Sequence, residues 1–202
     1  MFVKAMRLNL PTCLTLLRIA LIPVFVGVFF LPFRGANILC AALFGLAALT
    51  DWLDGYLARR LAQTSAFGAF LDPVADKLMV AAALVLLVQA LPSPWVAVAA
   101  VIIIGREIAI SALREWMAQS GDHGRVAVSM VGKLKTTAQM MAVLLLLYRA
   151  PLWGFPTLEV GLGLLWVAAA LTLWSMLHYL LAAWPVFWHD RLEAKGVESL
   201  TD

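Results

Sequence analysis

The sequence predicts an all-α, polytopic membrane protein with six transmembrane helices and with both termini in the cytoplasm. The 202-residue chain is 63% hydrophobic and only 13% charged, and its mean hydropathy is +0.92. A soluble domain of this size does not need so apolar an average. Six apolar segments are each long enough to cross a hydrocarbon core of about 30 Å. Because these segments are unbroken and do not alternate, they exclude a transmembrane β-barrel.

Short turns containing proline or glycine separate the first segment from the second, the third from the fourth, and the fifth from the sixth. The other two connections, 58–73 and 114–130, are longer and polar. Asp72 followed by Pro73 has the pattern of an N-cap and a first-turn proline, which predicts that the third helix begins at Asp72. The six predicted spans are 12–33, 37–57, 74–91, 94–113, 131–150 and 159–183.

Basic residues determine the predicted orientation. Of the 15 lysines and arginines, only Arg34 and Arg149 fall on one side of the predicted bundle. The positive-inside rule therefore places both termini and both long connections in the cytoplasm. We expect one membrane domain, 1–183, followed by a polar cytoplasmic tail, 184–202. The net charge of +3 fits contact with anionic membrane lipids. A nucleic-acid partner is not expected, because basic and aromatic residues are not interleaved.

Four of the 12 acidic residues lie within 51–76, on the predicted cytoplasmic side. Asp51 and Asp54 are three residues apart and share a helix face, as do Asp72 and Asp76, which are four apart. Carboxylates near a bilayer are costly and usually functional, and no basic residue lies close enough in sequence to pair all four. Oxygen-only ligands favour Mg²⁺, Mn²⁺ or Ca²⁺ over zinc. The spacing therefore predicts a multivalent-cation site between two helices.

Small and basic residues accompany these aspartates. Gly55 and Gly68 would let a large ligand approach the helix backbone, and Arg59 can clamp a phosphate. The structural alternative is that the glycines are helix-packing positions and that two of the aspartates are helix caps. The complete pattern resembles the signature of the CDP-alcohol phosphotransferase family, and this chain meets it at every position. That pattern reads D-x-x-D-G-x-x-A-R-x8-G-x-x-x-D-x-x-x-D.

The resemblance implies a dimeric, six-helix membrane enzyme that displaces CMP from a CDP-linked lipid or alcohol. It also implies two divalent ions, Mg²⁺ or Mn²⁺, and Asp76 as the general base. Asn9 and Thr12 are implied to contact the nucleotide, although both suit a helix cap equally well. The implied metal ligands are Asp51, Asp54, Asp72 and Asp76, and the implied CDP contacts are Asn9, Thr12, Asp54, Gly55, Ala58, Arg59 and Gly68.

A second basic set lies on the cytoplasmic side of the fourth and fifth predicted helices. Arg106 falls inside an apolar span and must find a counter-charge or a wet cavity. Lys133 and Lys135 begin the fifth helix, whose first amides favour anions. A small phosphate-bearing acceptor would supply the missing negative charge, and glycerol 3-phosphate and inositol phosphate fit equally. Ser175 and Tyr179 share a face of the last helix, where packing is expected. The predicted acceptor-phosphate contacts are Arg106, Arg125, Lys133 and Lys135.

A wider resemblance, over residues 6–182, is to bacterial family members that use CDP-diacylglycerol and glycerol 3-phosphate, and it includes the stretches 9–18, 111–116 and 132–139. It implies phosphatidyl transfer between these two substrates in the bacterial inner membrane, with the active site facing the cytoplasm. Two alternatives remain at this point. One is a sibling enzyme whose acceptor is phosphatidylglycerol or inositol phosphate. The other is a divalent-cation transporter, because intramembrane carboxylates on facing helices also suit an ion path.

Overall fold

The computed structural model is a bundle of six α-helices. It describes residues 10–61, 66–119, 130–152 and 154–198, and within these ranges it contains no β-strand. A single isolated β-bridge joins Leu152 to Phe155 in the turn between the last two helices. The all-α prediction is therefore confirmed for the described part of the chain. The helices are α1 (Leu10–Phe30), α2 (Ala36–Leu61), α3 (Ala66–Ala90), α4 (Pro94–Gln119), α5 (Met130–Tyr148) and α6 (Thr157–Glu198).

The three short turns lie where the prolines and glycines predict them. Gly35 has a φ of 99° directly before α2, and Gly154 has a φ of 83° before α6. Arg149 ends α5 in the left-handed region, with a φ of 56°, and its guanidinium stacks on the ring of Phe29 in α1. Glycine adopts positive φ without steric cost, whereas a long side chain needs a compensating contact of this kind.

The predicted start of the third helix is wrong. α3 begins at Ala66, six residues before Asp72, and Pro73 lies inside the helix. The segment 66–71 is apolar and compatible with a helix, and it continues α3 through Pro73 although an internal proline removes a hydrogen bond and crowds the preceding turn. Asp72 is therefore an internal helical residue and not an N-cap. Since Asp76 follows one turn later, both carboxylates belong to the same rigid element.

Three other helices continue beyond the apolar spans that predict them. α2 reaches Leu61 and α4 reaches Gln119, so both long connections are shorter than expected. α6 runs without interruption to Glu198 and crosses the predicted boundary at 183/184. The division into a membrane domain and a polar tail stays a prediction, but most of that tail is helical.

Four helices contain stretches long and apolar enough to cross a membrane, among the residues that the structure describes. They are Thr12–Phe30, Ala36–Asp54, Pro94–Met117 and Thr157–Leu181. α5 contributes a shorter apolar stretch, Leu134–Tyr148. The chain is thus a membrane protein by composition and helix length, while the six-span arrangement stays a prediction.

Helix packing brings the polar residues of α1, α2 and α3 together. α1 packs on both α2 and α3, α5 packs on α6, and α4 packs on α6. The core consists of aliphatic side chains such as Leu84, Leu87 and Leu146, all fully buried. A close approach occurs at Gly161 in α6, where an added Cβ would lie 2.9 Å from the side chain of Leu146. Large apolar side chains also cover the outside of the bundle, as expected for a surface facing lipid.

Candidate active site

Carboxylates from α2 and α3 converge at one end of the bundle. One oxygen each of Asp51, Asp54 and Asp72 lies within 4.8 Å of the others. Asp54 is buried, with 3% of its surface exposed, whereas Asp51 and Asp72 are only partly buried. Three of the four carboxylates that the spacing predicts to converge thus form one cluster, which has a buried side at Asp54 and a more open side at Asp51 and Asp72.

Asp76 lies one helical turn further along α3. It lines a small cavity together with Arg18, Asp51, Met79 and Met140. Among the described residues, the carboxylate oxygens that lie within 4.8 Å of one another belong to Asp51, Asp54 and Asp72. Asp76 therefore adjoins that cluster without forming part of it. The roles of Asp76 as a metal ligand and as the general base both stay predictions.

Arg18 of α1 is the functional residue that sequence reasoning missed as a partner of the aspartates. Its Nη1 donates to Asp51 Oδ1 at 2.7 Å and reaches Asp72 Oδ1 at 3.5 Å, and its Nη2 donates to Asp54. The side chain is 2% exposed. The aspartates have no basic partner nearby in sequence, but tertiary packing supplies one. An arginine within an apolar span was the available signal, because such a charge must find a partner.

The cluster carries more negative than positive charge. Three carboxylates face one guanidinium, so the ionised set would attract a divalent cation. Asp72 precedes the predicted third span, and burial raises the pKa of its carboxyl above the usual range. The neighbouring Asp51 raises that pKa further, while Arg18 opposes both effects.

The donor set fits a hard divalent cation. All three ligands are carboxylate oxygens, which Mg²⁺ and Mn²⁺ prefer, and no cysteine or histidine shares the described cluster. The partial exposure of Asp51 and Asp72 leaves coordination positions for water or for substrate oxygens. Mg²⁺ typically keeps water molecules at such positions, and it binds through a few carboxylates together with substrate phosphates.

A second charged cluster joins α4, α5 and α6 around Glu107. Arg106 Nη1 donates to Glu107 Oε1 at 3.1 Å, and Lys135 Nζ donates to the same oxygen. Arg106 Nη2 also donates to Ser175 Oγ at 3.0 Å, and its guanidinium lies over the ring of Tyr179. Arg106 therefore has the counter-charge that its apolar span requires. Sequence reasoning expected packing at Ser175 and Tyr179, whereas both hold the arginine.

Hydrogen bonds connect this cluster to the residue that follows Asp76. Lys77 of α3 donates to Ser111 Oγ in α4, and that hydroxyl donates to the backbone carbonyl of Glu107. A continuous polar connection thus runs from the end of α3 that carries Asp72 and Asp76 to the carboxylate shared by Arg106 and Lys135.

Several predicted site residues lie wholly or partly outside the described residues, so their contacts stay predictions. Among the described ones, Thr12 is buried in α1 and Gly68 lies in the first turn of α3. Asn9 and Arg125 fall outside the described ranges. Four more belong to described helices but without a described environment: Gly55, Ala58, Arg59 and Lys133.

Comparison with known proteins is consistent with this arrangement. The family model described as CDP-alcohol phosphatidyltransferase matches residues 8–174. A relative from Sodalis glossinidius is 56% identical over 178 residues, which is 88% of this chain and 96% of that protein. One from Pectobacterium atrosepticum is 56% identical over 189 residues, 93% of this chain and 100% of that protein. Both are named CDP-diacylglycerol–glycerol-3-phosphate 3-phosphatidyltransferase, as is a Salmonella typhimurium relative with 56% identity over 178 residues.

Proposed function

The chain belongs to the CDP-alcohol phosphatidyltransferase family, and from this premise we propose that it transfers a phosphatidyl group from CDP-diacylglycerol to sn-glycerol 3-phosphate. The products are phosphatidylglycerol phosphate and CMP. The observation that carries the proposal is the convergence of carboxylates from α2 and α3 at the positions of the family pattern. The names of relatives that share 56% identity over most of the chain support the choice of substrates.

The aspartate cluster suits the donor half of the reaction. Asp51, Asp54, Asp72 and Asp76 would hold two divalent ions, Mg²⁺ or Mn²⁺. The first three form the cluster, and Asp76 lines the small cavity beside it. Bound divalent ions neutralise charge on the diphosphate that is attacked and on the CMP that leaves. The partly exposed side of the cluster, at Asp51 and Asp72, would admit the diphosphate.

Asp76 is proposed as the general base for the acceptor hydroxyl. The oxygen of the primary hydroxyl forms a new bond to the phosphorus on the lipid side, and the bond from that phosphorus to the CMP oxygen breaks. The hydroxyl proton passes to the Asp76 carboxylate. A base must lie within hydrogen-bond reach of that hydroxyl, and Asp76 lines the small cavity next to Asp51 and Arg18.

The cluster around Glu107 suits the phosphate of the acceptor. Arg106 and Lys135 are both buried, and they share Glu107 as a counter-charge. A phosphate dianion would accept charge-assisted hydrogen bonds from the Arg106 guanidinium and the Lys135 ammonium. We assign Arg106, Lys135, Lys133 and Arg125 to this phosphate, the last two from their positions in sequence.

The nucleotide of the donor would extend from the aspartates along the ends of α1, α2 and α3. The last turns of α2 carry Gly55, Ala58 and Arg59, which follow Asp54. The first turn of α3, the next helix in the chain, carries Gly68. Small residues would allow the nucleotide to approach the helix backbone. Asn9 and Thr12 belong to the same proposed set.

The proposed setting is the bacterial inner membrane. The strong bias of basic residues supports six spans with both termini in the cytoplasm, and hence an active site that faces the cytoplasm. CDP-diacylglycerol would then reach the aspartates laterally from the inner leaflet. A homodimer is proposed from family membership alone.

The test is CMP release by the purified protein in detergent with CDP-diacylglycerol and Mg²⁺, with and without glycerol 3-phosphate. Release that requires glycerol 3-phosphate supports both the reaction and the acceptor. Release only with inositol phosphate or phosphatidylglycerol would replace the acceptor and keep the metal site. If folded, metal-bound protein released no CMP with any acceptor, the proposal would fail. Divalent-ion flux into sealed vesicles without lipid substrate would then favour transport.

A further inference from the structure

Arg18 places one guanidinium at the point where the three carboxylates meet. Its Nη atoms contact Oδ1 of Asp51, Oδ2 of Asp54 and Oδ1 of Asp72, which belong to two other helices. A single side chain thus draws together the oxygen set that the metal would use. The guanidinium carries the charge that a bound cation would otherwise supply.

The contacts of Arg18 are incomplete in one respect. Its Nε is buried and has no hydrogen-bond partner within the described part of the chain. An unpaired donor in a buried guanidinium is unfavourable, and such atoms are rare in native structures. The three carboxylates hold the side chain through its Nη atoms, while its Nε–H makes no hydrogen bond within the described part of the chain.

A divalent ion and this guanidinium would both bind the carboxylates of Asp51, Asp54 and Asp72. Mg²⁺ requires oxygen ligands at about 2.0–2.1 Å in near-octahedral geometry. Arg18 Nη1 is hydrogen-bonded to Asp51 Oδ1 at 2.7 Å and reaches Asp72 Oδ1 at 3.5 Å. An ion coordinated by these oxygens would lie against the guanidinium, and two positive charges in contact within a buried site repel strongly.

We propose that Arg18 is an exchangeable counter-ion of the metal site. It neutralises the aspartates when no divalent ion is bound, and it releases them when the ion binds. The inference rests on the proposed function in taking Asp51, Asp54 and Asp72 as metal ligands. When the ion is absent, the guanidinium thus supplies positive charge to three carboxylates, of which Asp54 is buried.

The alternative is a permanent structural role, in which Arg18 orients the carboxylates and stays beside the ion. The two roles predict opposite effects of removing the guanidinium. A competitor weakens metal binding, so its removal strengthens binding. An orienting residue supports metal binding, so its removal weakens it.

The experiment compares the wild-type chain with Arg18→Gln, Arg18→Lys and Arg34→Gln. Each is purified in detergent, stripped with a chelator and titrated with Mn²⁺, with free Mn²⁺ measured by electron paramagnetic resonance. Arg34→Gln is the charge-matched control, because exposed Arg34 precedes α2 and lies roughly 25 Å along the helix from Asp51. Thermal unfolding of each protein with and without Mn²⁺ gives a second readout.

Arg18→Gln should bind the first Mn²⁺ at least about tenfold more tightly than wild type, because no cation has to be displaced. Mn²⁺ should also raise its unfolding temperature by more than it raises that of wild type. Arg18→Lys should fall between the two, since an ammonium cannot bridge carboxylates as the planar guanidinium does. Arg34→Gln should match wild type.

The exchange would be overturned if wild type and Arg34→Gln both bind Mn²⁺ and Arg18→Gln binds it equally or more weakly than wild type. That result would assign Arg18 a permanent orienting role. If Arg18→Gln does not fold, the same comparison with Arg18→Lys decides between the two roles. If folded wild type binds no Mn²⁺, both the exchange and the metal site of the proposed function are wrong. If wild type binds Mn²⁺ and Arg18→Gln does not bind it more tightly, only the exchange is wrong.

Discussion

Replacing Asp54 with asparagine should destabilise the ion-free protein much more than the same change at Asp51. Both carboxylates accept hydrogen bonds from Arg18. They differ in environment, because the side chain of Asp54 is 3% exposed and that of Asp51 is 40% exposed. The two substitutions remove the same charge from the same partner, and burial is the main difference between their sites.

The expected magnitudes follow from that difference. Breaking a buried ion pair by removing one partner costs about 3–5 kcal/mol. Asparagine retains an oxygen that can accept from Arg18, and Asp51 still pairs with the guanidinium, which reduces the expected loss for Asp54→Asn to about 2–3 kcal/mol. For Asp51→Asn, water already screens the pair, and the expected loss is about 0–1 kcal/mol.

The assay is reversible unfolding in mixed micelles by a denaturing detergent, in the presence of a chelator, followed by circular dichroism. Both variants should also lose Mn²⁺ binding and CMP release, because each removes a proposed ligand. Equal losses of stability for the two variants would refute the burial argument. A stable Asp54→Asn protein would show that the buried guanidinium does not depend on that carboxylate.

Three further substitutions test the remaining assignments. Asp76→Asn should lower CMP release by at least about 100-fold while the protein stays folded, because the proposed base is lost. Ser175→Ala removes the hydroxyl that accepts from Arg106 Nη2 at 3.0 Å, so the KM for glycerol 3-phosphate should rise by about five- to tenfold with little change in kcat. Gly161→Ala places a Cβ 2.9 Å from the Leu146 side chain, and overpacking of this kind should lower the free energy of unfolding by about 1–3 kcal/mol.

The substitutions at Ser175 and Gly161 each have a matched comparison. Thr157→Ala removes another buried hydroxyl, one that donates to the carbonyl of Ala150 in the α5–α6 turn, and it should leave the KM for glycerol 3-phosphate unchanged. Gly163→Ala adds a Cβ with nothing within 4 Å and should not destabilise the protein. Similar KM changes at Thr157 and Ser175, or similar losses at both glycines, would contradict the assigned contacts. Retained turnover in Asp76→Asn would remove the base assignment.

Local spacing predicted which aspartates share a helix face, and three of the four predicted carboxylates lie in one cluster. Asp51 and Asp54 share a face of α2 because helical residues three apart are neighbours, and that relation does not depend on packing. The start of α3 was not predictable in the same way. The Asp72–Pro73 pair is a common helix beginning, but here the apolar segment before it extends the helix back to Ala66. An internal proline and a first-turn proline look alike in sequence.

The partners of the buried charges could not be predicted, because they depend on which helices pack together. Arg18 is 33 to 54 residues from the aspartates that it contacts. Ser175 is 69 residues from Arg106. The sequence indicates that each buried arginine needs a partner, but only the packing of α1 on α2 and α3, and of α4 on α6, determines which one.

The connection from Lys77 through Ser111 to Glu107 bears on how this protein distinguishes acceptors of equal charge. Asp76 and Lys77 are adjacent in α3, so this connection links the helix that carries the proposed base to the helix that carries Arg106 and Glu107. Glycerol 3-phosphate and inositol phosphate offer the same phosphate but differ in how far the reacting hydroxyl lies from it. We therefore expect the protein to select acceptors by the distance between the phosphate and the reacting hydroxyl. An acceptor whose hydroxyl falls short of Asp76, or passes beyond it, can bind without reacting.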